Sequence, residues 1–305
     1  MPTGAASLRL RDRTFGADHP VVMAIVNLTP DSFYAPARHA SGSAALDAVA
    51  RAVADGADIV DLGGIRAGRG PEVDATEEAR RVVPVVEEVR VRHPEVLVSV
   101  DTWRADVARH VARAGADLLN DTWAGHDPRL VEVAGAEGVG VVCSHTGGAL
   151  PRTDPFRVAY PGRPGRIAGA DPRDGVVDDV VVTLAAAASR AVSRGVDPAS
   201  VLVDPTHDFG KNTWHSLHLV RRTAALVELG YPVLMALSRK DFVGETLDLP
   251  VDERLEGTLA ATAVAAWQGA RVFRTHDVAA TRRTLDMVAA IRGDAAPARA
   301  VRGLA

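Results

Sequence analysis

Eight short apolar runs recur along the chain, and most of them stop at polar or ionisable residues. In order, the endings are Asn27, Asp61-Leu62-Gly63-Gly64, Asp101-Thr102, Asn120-Asp121, Ser144-His145, Asp204-Pro205, Ser238-Arg239-Lys240 and Arg274-Thr275-His276-Asp277. The stretches between them carry helical patterns. Strands alternating with helices imply a parallel sheet. Closed into an eight-stranded barrel, such a sheet brings all its C-terminal strand ends to one rim, where these folds carry chemistry. One pattern thus predicts an α/β fold, a single (β/α)8 TIM barrel, and the place of its site.

Composition bounds what the barrel does. With 305 residues, 47% of them hydrophobic, the chain is long enough for one barrel with a large core. A net charge of −4 offers no bulk attraction to nucleic acid or membrane, so neither is an expected partner. Cys143 is the single cysteine, which excludes an internal disulfide and suits a reducing, cytoplasmic setting. No run reads as a signal peptide or a membrane span.

Strands are expected over 21–27, 58–64, 97–102, 117–122, 140–145, 201–206, 232–238 and 271–277. Their near-continuous apolar character is that of parallel strands buried on both faces. Helices are expected over 43–55, 75–92, 104–114, 128–137, 175–194, 213–229, 252–269 and 278–292, several of them capped by Gly56, Gly115, Gly195, Gly230 and Gly269. The junctions GADIVD, GADLLND and GARVFR repeat, which supports one domain. Residues 1–20 form an N-terminal extension whose 5–20 stretch reads as a hairpin at the barrel bottom, 21–293 form the barrel, and 294–305 form a loose tail. Segments 28–42, 65–74 and 146–174 are long or rich in Gly and Pro, and all lie on the functional rim.

Two constellations stand on that rim. Asp101, Asn120, Asp204 and Lys240 each end a different strand, so their side chains would converge on one cavity. Two carboxylates, an amide and an ammonium suit a flat heterocycle with several N–H donors and an acceptor; the alternative is a set of buried pairs closing the barrel top. Asn27, Arg274 and His276 end strands one and eight, neighbours in a closed barrel. The Arg fork, a His donor and an amide oxygen suit a phosphate with Mg²⁺. The alternative is an Arg274–Asp277 salt bridge beside a surface His276. Lys211, in Asp208-Phe209-Gly210-Lys211, reads as a phosphate anchor or a plain surface lysine, and His145 as a packed or a catalytic residue.

The segments MAIVNLTPDSF (23–33), ADIVDLGG (57–64), VSVDT (98–102), GADLLND (115–121), DPTHDFGK (204–211), LSRKDFVG (237–244) and RTHDV (274–278) resemble the signatures of dihydropteroate synthase, in that family's order, over about residues 20–292. The resemblance implies condensation of 6-hydroxymethyl-7,8-dihydropterin pyrophosphate with p-aminobenzoate, releasing pyrophosphate, with Mg²⁺ as cofactor. It gives Asp101, Asn120, Asp204 and Lys240 to the pterin pocket. It gives Asn27, Arg274 and His276 to the pyrophosphate, with Asn27 as metal ligand. Asp101, Lys240, Arg274 and His276 would carry the catalysis, chiefly by stabilising the departing pyrophosphate and the cationic pterin. Thr29, Asp31 and Phe33 match a loop that closes over the site in the family, and known relatives are homodimers.

Departures gather on the acceptor side. Ile65-Arg66-Ala67-Gly68-Arg69-Gly70 stands where the family has Glu-Ser-Thr-Arg-Pro-Gly, leaving Arg66 and Arg69 at shifted positions. Tyr34-Ala35-Pro36-Ala37 replaces a Ser-Asp-Gly-Gly turn, and Thr206, His207 and Asp208 replace small glycines. Asp241 follows Ser-Arg-Lys where the family has Ser, at a helix start that receives the p-aminobenzoate carboxylate. A second carboxylate within about 4 Å repels it by roughly 1 kcal/mol in water and by several when poorly solvated. The alternative is that Asp241 caps the helix and points away. The main reading is therefore a dihydropteroate synthase-like transferase. The other is a paralogue, inactive or re-specialised, that binds pterin and uses no p-aminobenzoate, the re-specialised form taking a different amine. A non-catalytic pterin-binding or interaction protein is a third. Arg152, Arg157, Arg163, Arg166 and Arg173 in the 146–174 loop would cover the site for an anionic ligand, or form a solvated surface loop.

Overall fold

The computed structural model describes residues 7–16, 18–28, 42–66, 68, 70–153, 158–160 and 174–303. A two-stranded antiparallel hairpin, β1 (Leu8–Leu10) and β2 (Arg13–Phe15), precedes the barrel. Then β3 (Val21–Asn27), α1 (Gly42–Ala54), β4 (Ile59–Gly63), α2 (Ala75–Arg92), β5 (Leu97–Asp101), α3 (Ala105–Ala114), β6 (Leu118–Asp121), α4 (Leu130–Glu137), β7 (Gly140–Ser144) and α5 (Asp174–Ser193) alternate. The chain continues with β8 (Val201–Asp204), α6 (Thr213–Arg221), α7 (Thr223–Val227), β9 (Leu234–Met235), α8 (Asp241–Leu247), α9 (Leu255–Trp267), β10 (Val272–Thr275) and α10 (Val278–Arg292). The eight strands β3–β10 form a parallel sheet in the order β8-β7-β6-β5-β4-β3-β10-β9. A bridge between Val203 and Val233 joins its two edges, where the Val203 N–H donates to Pro232 O at 3.0 Å. The expected eight-stranded α/β barrel is borne out.

Strand side chains alternate between two faces, and this period of two divides the core. Val21, Met23, Ile59, Leu97, Leu118, Val142, Leu202, Leu234, Ala236 and Val272 point inward and cluster with Leu8, Leu10 and Phe15 of the hairpin. The hairpin therefore plugs the barrel bottom. The alternate residues, among them Val22, Ala24, Val60, Val98, Val100, Leu119, Val141, Val201 and Phe273, face the helices. Two residues further along the inward rows stand Asp61, Ser99, Asn120, Asp204 and Arg274, and four residues further Asn27, Asp101 and His276. One parity thus makes an apolar floor below and a polar mouth above.

Two of the three repeated junctions share a job. Asp58 accepts from Val22 N at 2.9 Å and from Arg282; Asp117 accepts from Val98 N at 2.7 Å and from Arg90. Each aspartate ties a strand start to its neighbour. The five predicted cap glycines, Gly56, Gly115, Gly195, Gly230 and Gly269, all have positive φ.

Three elements differ from expectation. The ladder of β9 spans two residues because the chain turns at Leu237–Lys240, with Arg239 at φ 54°. The helix expected over 213–229 breaks at Arg222, where Thr223 Oγ1 donates back to Leu219 O and Val220 O and competes with the helical ladder. Helix α8 is too short to show a period in the sequence.

Candidate functional site

The polar mouth begins with a register. Asn27 lies opposite Gly63, Gly63 opposite Asp101, and Asp101 opposite Asn120 across β3 to β6. Gly63 leaves a notch in that row: a Cβ there would lie 3.3 Å from Asn27 Oδ1 and 3.9 Å from the Asp101 Cβ.

One level below, Asp61 is fully buried and organises the centre. Its Oδ2 accepts from Arg274 Nε at 2.6 Å and Asn120 Nδ2 at 3.1 Å, and its Oδ1 from Ser99 Oγ at 2.6 Å. Arg274 also donates to Asp101 Oδ2 at 3.1 Å, while Thr122 donates to Asp101 Oδ1 at 2.9 Å. Burial pushes Asp101 up to about 7, a rise that Arg274 opposes and Asp61 reinforces. Asp61 was not singled out as a site residue from sequence. Its signal was parity, two residues beyond the inward Ile59.

The second half of the mouth surrounds Lys240, whose Nζ donates to His207 O at 2.6 Å and sits 4.6 Å from the centroid of the Phe209 ring. Phe209 packs edge-on against Trp123, and Trp123 against Trp103, forming an aromatic wall. Asp204 accepts from Thr206 N at 2.7 Å, and burial raises its pKa against the pull of that N–H and of Lys240. Burial, with Arg274, Arg239 and Lys240 nearby, pushes His276 down to about 3, so its imidazole is neutral. Its Nδ1 is 2.9 Å from Ser238 Oγ. Arg274 pairs with Asp61 and Asp101, and Asp277 instead pairs with Arg239 at 2.9 Å, so the alternative Arg274–Asp277 bridge does not form.

Lys211 is neither a surface residue nor poised for a phosphate. It is buried and donates to three backbone oxygens: His145 O at 2.7 Å, Phe209 O at 2.9 Å and Thr206 O at 3.2 Å. Burial lowers it to about 7. His145 is a packed residue, with Nε2 2.8 Å from Asp179 Oδ2.

The acceptor side holds a surprise. Asp241 points away, exposed, with Oδ1 accepting from Arg254 at 2.9 Å. The two N–H groups at the start of α8 are taken by a different carboxylate: Asp208 Oδ2 accepts from Asp241 N at 2.7 Å and Phe242 N at 3.4 Å. Arg66 is exposed. Arg152 donates to Pro71 O at 2.9 Å and Gly68 O at 3.4 Å, so its guanidinium is spent on a neighbouring rim loop. Thr29, Asp31, Phe33, Tyr34-Ala35-Pro36-Ala37, Ala67, Arg69, Arg157, Arg163, Arg166 and Arg173 lie outside the described residues.

Among the described residues, no group of three His, Cys, Asp or Glu side chains could hold a metal. The Asn27 amide oxygen beside the Gly63 notch is a donor of the kind suited to a Mg²⁺ that shares phosphate oxygens and keeps its waters rather than to a permanently caged ion.

The barrel with this polar mouth is that of a family of enzymes: residues 23–276 match the family model described as "Pterin binding enzyme". The chain belongs to that family, and it is dihydropteroate synthase-like, as its motifs implied. It is 58% identical over 293 residues to "Inactive dihydropteroate synthase 2" of Mycobacterium tuberculosis, covering 96% of this chain and 89% of that protein. It is 36% identical over 273 residues to "Dihydropteroate synthase" of Bacillus subtilis, covering 89% of this chain and 88% of that one. The fold aligns with the Yersinia pestis dihydropteroate synthase in its sulfonamide drug complex at a TM-score of 0.82, with 34% identity, covering 94% of this chain and 99% of that one.

Proposed function

We propose that this chain is a dihydropteroate synthase-like transferase that keeps the pterin half of the site and has closed the acceptor half to p-aminobenzoate. The observation that carries the reading is the Asp208 carboxylate on the Asp241 and Phe242 N–H groups. By the family resemblance that is where the p-aminobenzoate carboxylate docks. An incoming carboxylate there meets a like charge and donors already in use. The relatives bearing the name "Inactive dihydropteroate synthase 2" agree with this reading.

In the donor half, Asp101, Asn120, Asp204 and Lys240 take the ring of 6-hydroxymethyl-7,8-dihydropterin pyrophosphate. Asn27, Arg274 and His276 take its pyrophosphate. Mg²⁺, when bound, neutralises the pyrophosphate oxygens, with Asn27 as its ligand from the chain. Arg274 and the neutral His276 donate to the charge that develops on the leaving group. Thr29, Asp31, Phe33, Arg66, Arg69 and Asp241 belong to the loops around the acceptor, which on this reading is an amine without a carboxylate.

Calorimetric titration with the pterin pyrophosphate and Mg²⁺, followed by p-aminobenzoate with product detection, tests this. Tight pterin binding with no dihydropteroate is expected. Dihydropteroate formed with pyrophosphate release removes the closed-acceptor reading, and absent pterin binding removes the whole assignment. Ordinary condensation with p-aminobenzoate is the second reading, favoured by the retention of Lys240, Arg274 and His276.

The donor half also predicts a pH dependence. With Asp101 raised to about 7, its carboxyl is protonated below that pH and, having lost its charge, accepts a ring N–H more weakly. Pterin affinity should rise as pH increases through 7, and weaken by up to about tenfold per unit below it. An Asp101→Asn variant with the same pH profile as the native chain would remove Asp101 as the cause.

By family expectation the protein is a cytoplasmic homodimer, with residues 21–293 as its pterin-binding barrel. Val264 and Trp267 on α9, with Met287 and Ile291 on the adjoining α10, supply exposed apolar surface for pairing. Light scattering that reads the mass of one chain, or fractionation outside the cytoplasm, would overturn these two points.

A further inference from the structure

Three consecutive residues of the β8–α6 loop are each poorly settled by their own local structure. Thr206 and Asp208 have φ of 51° and 69°, the left-handed region that non-glycine residues rarely occupy. His207 between them is fully buried, and neither ring nitrogen has a hydrogen-bond partner among the described residues. Strained backbone and an orphaned buried ring persist only where the surroundings hold them.

What holds them is the β7–α5 loop. Tyr160 Oη donates to Gly210 O at 2.5 Å, and its ring packs edge-on against His215 at 5.0 Å and tilted against His145 at 6.0 Å. Gly147 and Gly210 bring the two backbones into direct contact: a Cβ on Gly210 would overlap Thr146 O, and one on Gly147 would overlap Tyr160 Oη. Lys211 Nζ adds the tie to His145 O. Ser216 Oγ meets Asp208 Oδ1 at 3.2 Å, and the other oxygen of that carboxylate is on the Asp241 and Phe242 N–H groups. Arg152 extends the same loop to Gly68 O and Pro71 O on the β4–α2 side. The acceptor-side loops after β4, β7 and β8 are therefore tied to one another.

We propose that Asp208 is the specificity-determining residue that rejects carboxylate-bearing acceptors, and that Tyr160, acting through Gly210, is the positioning residue that keeps it over the Asp241 and Phe242 N–H groups. The inference rests on the reading that this mouth takes a pterin, and it deepens that reading by naming what sets acceptor charge. The chain discriminates by charge: a neutral aniline avoids the repulsion that a benzoate meets.

The test uses the full chain, the Asp208→Gly variant and the Tyr160→Phe variant. Glycine at 208 relieves the positive φ, and phenylalanine at 160 keeps the ring contacts and removes only the hydroxyl, so both variants should fold. With 6-hydroxymethylpterin, pyrophosphate and Mg²⁺ present, binding of p-aminobenzoate is compared with that of the uncharged p-aminobenzamide. Asp208→Gly should raise the benzoate-to-benzamide affinity ratio about tenfold or more, and Tyr160→Phe should raise it in the same direction by less. An unchanged ratio in Asp208→Gly with intact pterin binding overturns the proposal. Pterin binding is read first, so its absence overturns the functional reading separately. In that case amide hydrogen exchange decides the positioning role without any ligand. The Asp241 and Phe242 amides should exchange about tenfold faster in Tyr160→Phe while β3 to β6 amides stay unchanged. Equal rates at those two amides overturn it.

Discussion

Replacing Asp61 with Ala is expected to cost about 3–5 kcal/mol of stability and to abolish capture of the pterin pyrophosphate. The cost does not come from the size of the residue. Asp61 is wholly enclosed and accepts from Arg274, Asn120 and Ser99. Its removal leaves the part-buried Arg274 with Asp101 as its carboxylate partner and frees the donors of Asn120 and Ser99, which are themselves buried. Breaking one side of a buried charged pair is expensive because the other side stays buried. The binding loss follows from the same geometry. Without Asp61, Arg274 leans wholly on Asp101, and both side chains leave the positions they hold at the mouth. Urea unfolding measures the first effect and calorimetric titration the second. A stability change under about 1 kcal/mol would mean that Asp61 is not the keystone of this cluster.

Leu10→Ala should be nearly as damaging, about 2–5 kcal/mol, although Leu10 belongs to a three-residue strand outside the barrel wall. Leu10 is completely enclosed among the inward residues of the floor. The fit is close: its Cδ2 lies 2.6 Å from where a Cβ on Gly140 would be, so the start of β7 is glycine at the point where the plug presses in. Truncating Leu10 leaves a void in an interior that cannot collapse, because the strands around it are held by their ladder. The reverse change, Gly140→Ala, overfills the same spot and should cost about 1–3 kcal/mol. Urea midpoints of the two variants check both signs. If Leu10→Ala costs less than about 1 kcal/mol, the hairpin is an ornament rather than part of the core.

Much of this was legible in the sequence, for reasons that differ by residue. Asn27, Asp101, Asn120, Asp204, Arg274 and His276 follow apolar runs, and the strand period carries them onto one inward face, so strand position alone predicted their convergence. Lys240 follows the turn after β9, and its place beside Asp204 depended on the family resemblance as much as on spacing. Asp61 stands among the strand endings but carried no site role in the sequence, because it sits one inward position below the last residues of the neighbouring runs. Asp208 read only as a departure from a small glycine, because no period governs a loop. At φ 69° its side chain takes a direction that neither strand nor helix rules supply. The anion expected at the start of α8 is there, carried by Asp208 rather than Asp241, which Arg254 draws aside. Lys211 defied the usual solvent preference of lysine because three carbonyl oxygens from converging loops replace its water.

The floor plug also imposes an order on folding. Leu8, Leu10 and Phe15 are synthesised well before Leu202, Leu234 and Val272, whose inward surfaces they fill. Arg9 O accepts from Ser200 Oγ, and Arg282 reaches back to Pro20 O, so segments far apart in the sequence are bonded directly. Contacts of such sequence separation slow folding, because a long loop must close before they reward the chain. The floor therefore seals only when β10 has joined it, and a ribosome-bound nascent chain halted before β10 would still show an open, sticky floor to whatever chaperone meets it.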